Sequence, residues 1–297
     1  MHLRIATRGS KLALWQAHYT QSLLRERGVE SELVVIKTKG DKIQHLSFDK
    51  IEGKGFFTKE IEDALLRGEA DLAVHSMKDL PTTHPEGLVV TAVSHRANPA
   101  DCLIIRKDRF DADRLMRLPQ EANVGTSSAR RKAQLLHFRN DLQLTDIRGN
   151  VPTRLQKLRD GQFDAIVLAA AGLERLEMDL SDFEKLEFSP REFVSAPAQG
   201  VLAWQTRRAD TATRRLLKGL HRTETSAVTN VERTVLKMLE GGCQMPVGVY
   251  CEQDQMHNFH AWAALADAWD APVRHAKWSQ STSAGLAEQL VAQLRAN

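Results

Sequence analysis

The sequence predicts an α/β protein of two lobes with largely parallel or mixed sheets, followed by a small α+β domain. Three observations predict it. Strand-like and helical segments alternate from residue 3 to residue 75, the alternation restarts after a breaker-rich stretch near Arg96–Pro99, and short strands with a closing helix follow a Gly-Gly loop. A chain of 297 residues, against roughly 100–200 per domain, has room for two or three domains.

Leu3–Thr7 reads as a short buried strand, and Gly9 and Ser10 lead into the helical pattern Leu12, Leu14, Trp15, Leu23, Leu24, with Ser10 as its N-cap. Glu32–Lys37 is the next strand, Thr58–Arg67 a helix and Asp71–His75 a strand. Residues 38–55, rich in lysine and glycine, form a connection too long to be idle, which predicts a functional loop. Leu88–Ser94 and Cys102–Arg106 read as strands with a crossing between domains at Arg96–Pro99. Then come a strand ending at Asn123–Gly125, helix Ser127–Phe138, extended Leu142–Ile147, helix Pro152–Arg159 and the buried strand Asp164–Ala169. Ser195–Gly200 is a second crossing. Helices Ala209–Leu220 and Glu224–Leu239, a Gly241–Pro246 loop, strands Val247–Cys251 and Phe259–Leu265, and helix Ala284–Leu294 complete the chain.

Composition excludes several classes. Apolar residues are 42% and charged residues 27%, the balance of a globular chain. A net charge of +3 is too small to predict nucleic-acid binding. No apolar run reaches the roughly 18 residues of a membrane span, and Met1–Ser10 carries charge where a secretory core would lie, so a cytoplasmic protein is expected. Cys102, Cys243 and Cys251 are an odd count without a CxxC pair, which predicts reduced thiols.

Positive charge concentrates in one stretch. Residues 124–175 hold nine Lys or Arg against five Asp or Glu. Arg130 and Arg131 follow Thr126-Ser127-Ser128, Arg148 precedes Gly149-Asn150, Arg154 lies in the first turn after Pro152, and Arg175 follows Gly172-Leu173-Glu174. Cations at helix amino ends oppose the macrodipole, so a bound carboxylate or phosphate explains them better than stability does. A solvated basic face accounts for the same residues more simply. His75-Ser76-Met77-Lys78-Asp79-Leu80-Pro81 places Asp79 on a strand-to-loop edge, where cations beside it keep it ionised and able to stabilise a cation or accept a proton; a loop salt bridge is the plainer reading.

Adjacent strand residues face opposite ways, so His75 and Ser76 do not make a hydrolase triad, and no GxSxG motif is present. Gly53-Lys54-Gly55 lacks P-loop spacing, and His257 with His260 is a lone HxxH, so no metal is expected. Cys102 and Cys251 lie in apolar strands as small hydrophobes. Cys243, between two glycines and a proline on a loop, is placed for a covalent link, or is a half-buried loop thiol.

These segments resemble the porphobilinogen deaminase (hydroxymethylbilane synthase) family. The resemblance rests on ATRGSKLALWQA (6–17), KGFFTKE (54–60), AVHSMKDLPT (73–82), VGTSSARRKAQL (124–135), IRGNVPTRLQKL (147–158), DAIVLAAAGLERL (164–176) and EGGCQMPVG (240–248), and fades beyond about residue 252. It implies two lobes like those of type II periplasmic binding proteins: domain 1 at residues 1–95 and 196–212, domain 2 at 96–195, and a cofactor-attachment domain 3 at 213–297. It also implies a dipyrromethane on Cys243 through a thioether. Four porphobilinogens would add to it with loss of ammonia, and 1-hydroxymethylbilane would be released for haem biosynthesis.

By the same resemblance Asp79 and Lys78 are catalytic, Asp79 stabilising an azafulvene cation and shuttling a proton. Ser10, Lys78, Asp79, Thr126, Ser127, Ser128, Arg130, Arg131 and Arg148 would hold the cofactor with Cys243. Arg8, Arg148, Arg154, Arg175, Lys50, Lys54, Phe57 and Gln199 would hold substrate. Residues 38–55 would be an active-site flap. The family often has Gly before the glutamine where this chain has Ala198, which predicts altered backbone freedom there. A monomer acting on a small molecule, without nucleic acid or membrane, is implied. A non-catalytic organic-anion-binding module of the same fold would explain the arginines but not Asp79 and Cys243 together.

Overall fold

The computed structural model describes residues 1–38, 58–240 and 245–296. Its described residues fall into two units, the first holding 1–38, 58–97 and 200–227 and the second 98–199, 228–240 and 245–296. The chain therefore passes from one unit to the other after Ala97 and returns after Gln199.

In the first unit, strands β1 (His2–Thr7), β2 (Glu30–Val35), β3 (Leu72–Ser76), β4 (Leu88–Val93) and β10 (Leu202–Arg207) form one sheet in the order β2-β1-β3-β10-β4. β1 runs parallel to β2 and β3, while β10 is antiparallel to β3 and β4. Helices α1 (Lys11–Arg25), α2 (Lys59–Leu66) and α6 (Thr211–Lys218) belong to this unit. Alternate strand residues explain the two-sided packing: Leu3, Ile5, Leu72 and Trp204 pack with Leu24 of α1, while Ala6, Ala73 and Leu88 pack with Ile61 and Leu65 of α2. Trp204 is buried, and its indole Nε1 donates to Thr20 Oγ1 at 2.9 Å, so its one polar atom is satisfied.

The second unit has a sheet of β5 (Asp101–Arg106), β6 (Asn123–Gly125), β7 (Gln143–Thr145), β8 (Ala165–Ala169) and β9 (Phe183–Glu187), ordered β7-β6-β8-β5-β9. β6 is parallel to β7 and β8, and β5 is antiparallel to β8 and β9. Helices α3 (Ala129–Phe138), α4 (Val151–Arg159) and α5 (Ala170–Arg175) follow β6, β7 and β8. A separate antiparallel sheet of β11 (Val247–Gln253), β12 (Phe259–Leu265) and β13 (Arg274–Gln280) carries helix α8 (Leu286–Ala296). Helix α7 (Thr223–Met238) precedes it.

The fold class read from the alternation is the one observed: two α/β lobes with mixed sheets and a small α+β part. Three strands escape the sequence reading. β9 and β13 border a sheet and carry charges along their length, the composition of a protected edge. β10 follows the second crossing without an intervening helix and returns antiparallel, so the alternation does not announce it. No helix among the described residues is long and apolar enough to cross a membrane.

Ala198, where a glycine is expected from the family pattern, has φ of +61°, the left-handed conformation that an alanine adopts at a cost. Its N–H donates to Glu232 Oε2 at 2.6 Å, and the other oxygen of the same fully buried carboxylate accepts from the Cys251 N–H at 2.8 Å. Glu232 on α7 thus holds both the second crossing and β11. Replacing Glu232 with Ala strands two buried donors, each worth about 1–3 kcal/mol, so Glu232→Ala should destabilise by about 2–6 kcal/mol in urea unfolding. A loss below about 0.5 kcal/mol, the range of an ordinary surface change, would show that those N–H groups find other partners.

Candidate functional site

In the first unit, the carboxyl ends of the parallel strands β1 and β3 both open onto one pocket, the position where α/β sheets bind ligands. The pocket, about 480 Å3 of empty space including its open mouth, is lined by Arg8, Ser10, Gln16, His75, Ser76 and Asp79 among others. Ser10 caps α1 as expected, its Oγ accepting from Ala13 N at 3.3 Å. Gln16 Nε2 donates to Ser76 Oγ at 2.8 Å and so ties α1 to the end of β3. A single helical turn, Met77–Asp79, follows β3; Met77 is buried there, which leaves Lys78 half-buried and Asp79 exposed.

His75 is buried, and its Nε2 lies 3.1 Å from Gln205 Oε1 on β10. Gln205 Nε2 donates to Glu62 Oε1 at 2.8 Å, so the Gln205 amide oxygen is the acceptor and His75 Nε2 carries the proton. Burial pushes the His75 imidazole down to about 4, against the hydrogen bond to Gln205 and with His84 and Arg8 nearby adding to the effect. His75 therefore stands neutral beside Asp79 at neutral pH. It plays no nucleophile-activating part with Ser76, whose hydroxyl accepts from Gln16.

In the second unit the strand ends do the same. β6 ends at Gly125, where an added Cβ would lie 2.8 Å from the Phe163 ring, and Thr126-Ser127-Ser128 then lead into α3. Ser128 caps α3, accepting from Arg131 N at 3.4 Å. Ser127 Oγ donates to Ile147 O at 2.9 Å and accepts from Ile147 N at 3.0 Å, which pins the loop to the segment bearing Arg148. Gly149 has φ of +113°, and Asn150 caps α4 by accepting from Thr153 N.

Arg130 and Arg131 are buried and share one carboxylate, that of Asp101. Arg130 Nη1 also donates to Val194 O, and Arg131 Nη1 to Val167 O, each at 2.9 Å. Arg154 Nε donates to Gly149 O at 2.8 Å. Its guanidinium is pushed down to about 10, first by burial and then by repulsion from Arg131 and Arg148, so a half-buried cation stands close to two others. An anion placed there relieves both penalties. A group bearing several carboxylates, such as a dipyrromethane, fits this donor set.

Arg175 stands apart from the expectation. It ends α5 instead of opening it, where the helix dipole favours a cation, so its placement has an ordinary explanation as well. Gln199 is buried and donates to Asp101 Oδ1 at 3.0 Å. Cys243, Lys50, Lys54, Phe57 and the flap lie outside the described residues. Cys102 is buried, and burial pushes its thiol up to about 12, which keeps it protonated and inert. His260 is held by Asp254 and Ser279 on the small sheet. Sequence reasoning missed Asp101, Gln16, Gln205 and Glu62. Only Asp101, a charge opening an apolar strand, left a readable signal.

Two family models match the chain: "Porphobilinogen deaminase, dipyromethane cofactor binding domain" over residues 3–215 and "Porphobilinogen deaminase, C-terminal domain" over 227–294. A porphobilinogen deaminase of Maridesulfovibrio salexigens is 46% identical over 299 residues, 98% of this chain and 94% of that one. One of Trichlorobacter lovleyi is 47% identical over 84% of this chain and 78% of its own. Among solved structures, the aliphatic sulphonate binding protein SsuA of Escherichia coli is 14% identical with a TM-score of 0.43, covering 80% of this chain and 70% of that one.

Above pH 6.5 His75 is neutral in the folded and unfolded chain alike. As pH falls from 6.5 toward 4 the unfolded chain takes up a proton that the folded one refuses, so stability is lost through that window. Glu62, whose carboxyl burial holds above its usual range, works in the opposite sense, favouring the folded state as pH falls. His75→Gln should therefore flatten the fall in unfolding free energy from urea titrations between pH 6.5 and 4.5, by a slope approaching about 1 kcal/mol per pH unit. Equal slopes in the two proteins would mean that folded His75 accepts the proton.

Proposed function

The chain belongs to the porphobilinogen deaminase family, and from that premise we propose how its residues divide the work. The protein is a transferase that condenses four porphobilinogens head to tail, losing ammonia at each step, on a dipyrromethane held by Cys243, and releases 1-hydroxymethylbilane. The dipyrromethane supplies the pyrrole carbon to which the first unit is joined. Everything else is the chain's own work.

Arg8 meets the carboxylates of the reacting porphobilinogen, with Ser10 and Lys78 beside it on the cofactor. The substrate's aminomethyl group is an ammonium at neutral pH; the C–N bond breaks, nitrogen keeps the electron pair and leaves as neutral ammonia, and the positive charge remains on the pyrrole as an azafulvene cation. Asp79, exposed in the pocket beside a neutral His75, is the carboxylate that stabilises this cation and takes the ring proton released when two pyrroles join. An imidazolium beside it would oppose that cation, and the burial of His75 prevents one.

Arg131, Arg148 and Arg154 hold the acetates and propionates of primer and growing chain, with Arg130, Arg175, Thr126, Ser127 and Ser128 around them. Lys50, Lys54, Phe57 and Gln199 complete the substrate contacts. The single observation that carries this reading is the gathering of arginines at two successive strand-to-helix junctions, Arg130 and Arg131 fixed on Asp101 after β6 and Arg154 held by Gly149 O after β7. The division into domain 1 (1–95, 196–212), domain 2 (96–195) and domain 3 (213–297), and work as a cytoplasmic monomer, belong to the same proposal and rest on the family pattern; sedimentation tests the monomer.

Asp79→Asn should keep its covalent adduct by intact mass while turnover falls at least about a hundred-fold, the usual loss for a proton-transferring group. Near-normal turnover would remove Asp79 from the chemistry. Arg154→Leu should stop chain growth or primer assembly, read as missing ring additions in the mass spectrum after porphobilinogen is supplied. Wild-type elongation would return Arg154 to a surface role.

A further inference from the structure

Asp101 has no part in the reaction above, yet its carboxylate gathers the groups that do. It opens β5 and is fully buried. Its Oδ1 accepts from Arg131 Nε at 3.2 Å, from Arg131 Nη2 at 2.6 Å and from Gln199 Nε2 at 3.0 Å, while Oδ2 faces Arg130 Nη2 at 2.8 Å. Gln199 Nε2 also reaches the carbonyl oxygens of Pro99 and Ala100, at 2.8 and 3.2 Å. One carboxylate therefore joins two adjacent arginines of α3 to the place where the chain enters the second unit and the place where it leaves.

A buried ion pair kept only for stability needs one cation per carboxylate. Here two guanidiniums share one negative charge, so the cluster stays one unit positive while both planar forks are fixed from the inside. We propose that Asp101 is a positioning residue for chain growth. It sets the direction and net charge of the Arg130–Arg131 pair that the pyrrole carboxylates meet, and through Gln199 it ties that pair to the crossing segments. This rests on the reading above that the arginines hold those carboxylates. An asparagine at this position would turn an N–H2 toward one guanidinium, so that fork must swing away.

The test uses holoenzyme carrying its adduct. Asp101→Asn should raise KM for porphobilinogen about ten-fold, the worth of one charge-assisted hydrogen bond, and accumulate enzyme with one or two added rings. The first addition at saturating substrate should stay within about three-fold of wild type, because the bond-making groups are untouched. A purely structural Asp101 would lower the thermal midpoint and leave KM and the ring distribution of the folded protein unchanged, which overturns the proposal. A first addition slowed more than about ten-fold with KM unchanged also overturns it, since Asp101 would then act on the chemistry. Arg131→Leu serves as the control: impaired elongation there with a wild-type Asp101→Asn sinks this inference alone, whereas normal elongation in Arg131→Leu sinks the carboxylate reading beneath it. Should Asp101→Asn fail to fold, Asp101→Glu keeps the charge and displaces it by one methylene from both guanidiniums. Raised KM with early-chain accumulation then supports the proposal, and a wild-type distribution overturns it.

Discussion

Guanidinium groups placed out of water must be met by anions, and this requirement shapes the second unit of the protein. A buried charge without a partner costs several kcal/mol, so each arginine there is informative through what compensates it. Arg130 and Arg131 are compensated from within, by Asp101 and by the carbonyl oxygens of Val194 and Val167. Arg154 is met by a carbonyl oxygen and flanked by two further cations, an arrangement that gains most when carboxylates arrive from outside. A pyrrole oligomer brings two carboxylates per ring, and this chain's arginines are spaced along successive strand-to-helix junctions that can receive them.

The first unit answers a different demand. Its pocket exposes a carboxylate at Asp79 and keeps the imidazole of His75 neutral by burial, the arrangement that the proposed cation on the pyrrole requires. The chain His75–Gln205–Glu62 fixes which imidazole nitrogen bears the proton, and it does so from β10 and α2, elements that carry no reacting group. Both units place their chemistry just past the carboxyl ends of parallel strands, at Arg8 and Asp79 in one and at Thr126–Ser128 in the other. The same local geometry therefore presents a carboxylate in one lobe and a group of arginines in the other, which the proposal assigns to cation stabilisation and anion binding.

Much of this was legible in the sequence because its causes are local. The apolar alternation located β1, β3, β6 and β8 to within a residue or two, and Ser10 and Ser128 begin helices as capping chemistry requires. Asp79 could be placed on a strand-to-loop edge from the proline that follows it. What stayed hidden depends on partners far along the chain. β10 pairs with strands more than 100 residues earlier, Asp101 meets arginines about 30 residues later, and the His75 proton is set by Gln205 from 130 residues away. Arg175 shows the converse error: one residue type and a nearby glycine suggested a helix start, whereas the helix begins at Ala170 and Arg175 closes it.

Every role proposed for these residues requires a polycarboxylate chain tethered at Cys243 and held by these arginines. Intact mass of the purified protein after supply of porphobilinogen tests it most directly. The account predicts a two-ring adduct above the 33.3 kDa polypeptide in the wild type and in Cys102→Ala, and none in Cys243→Ala. A wild-type protein at its unmodified mass, or an adduct that survives Cys243→Ala, would contradict it.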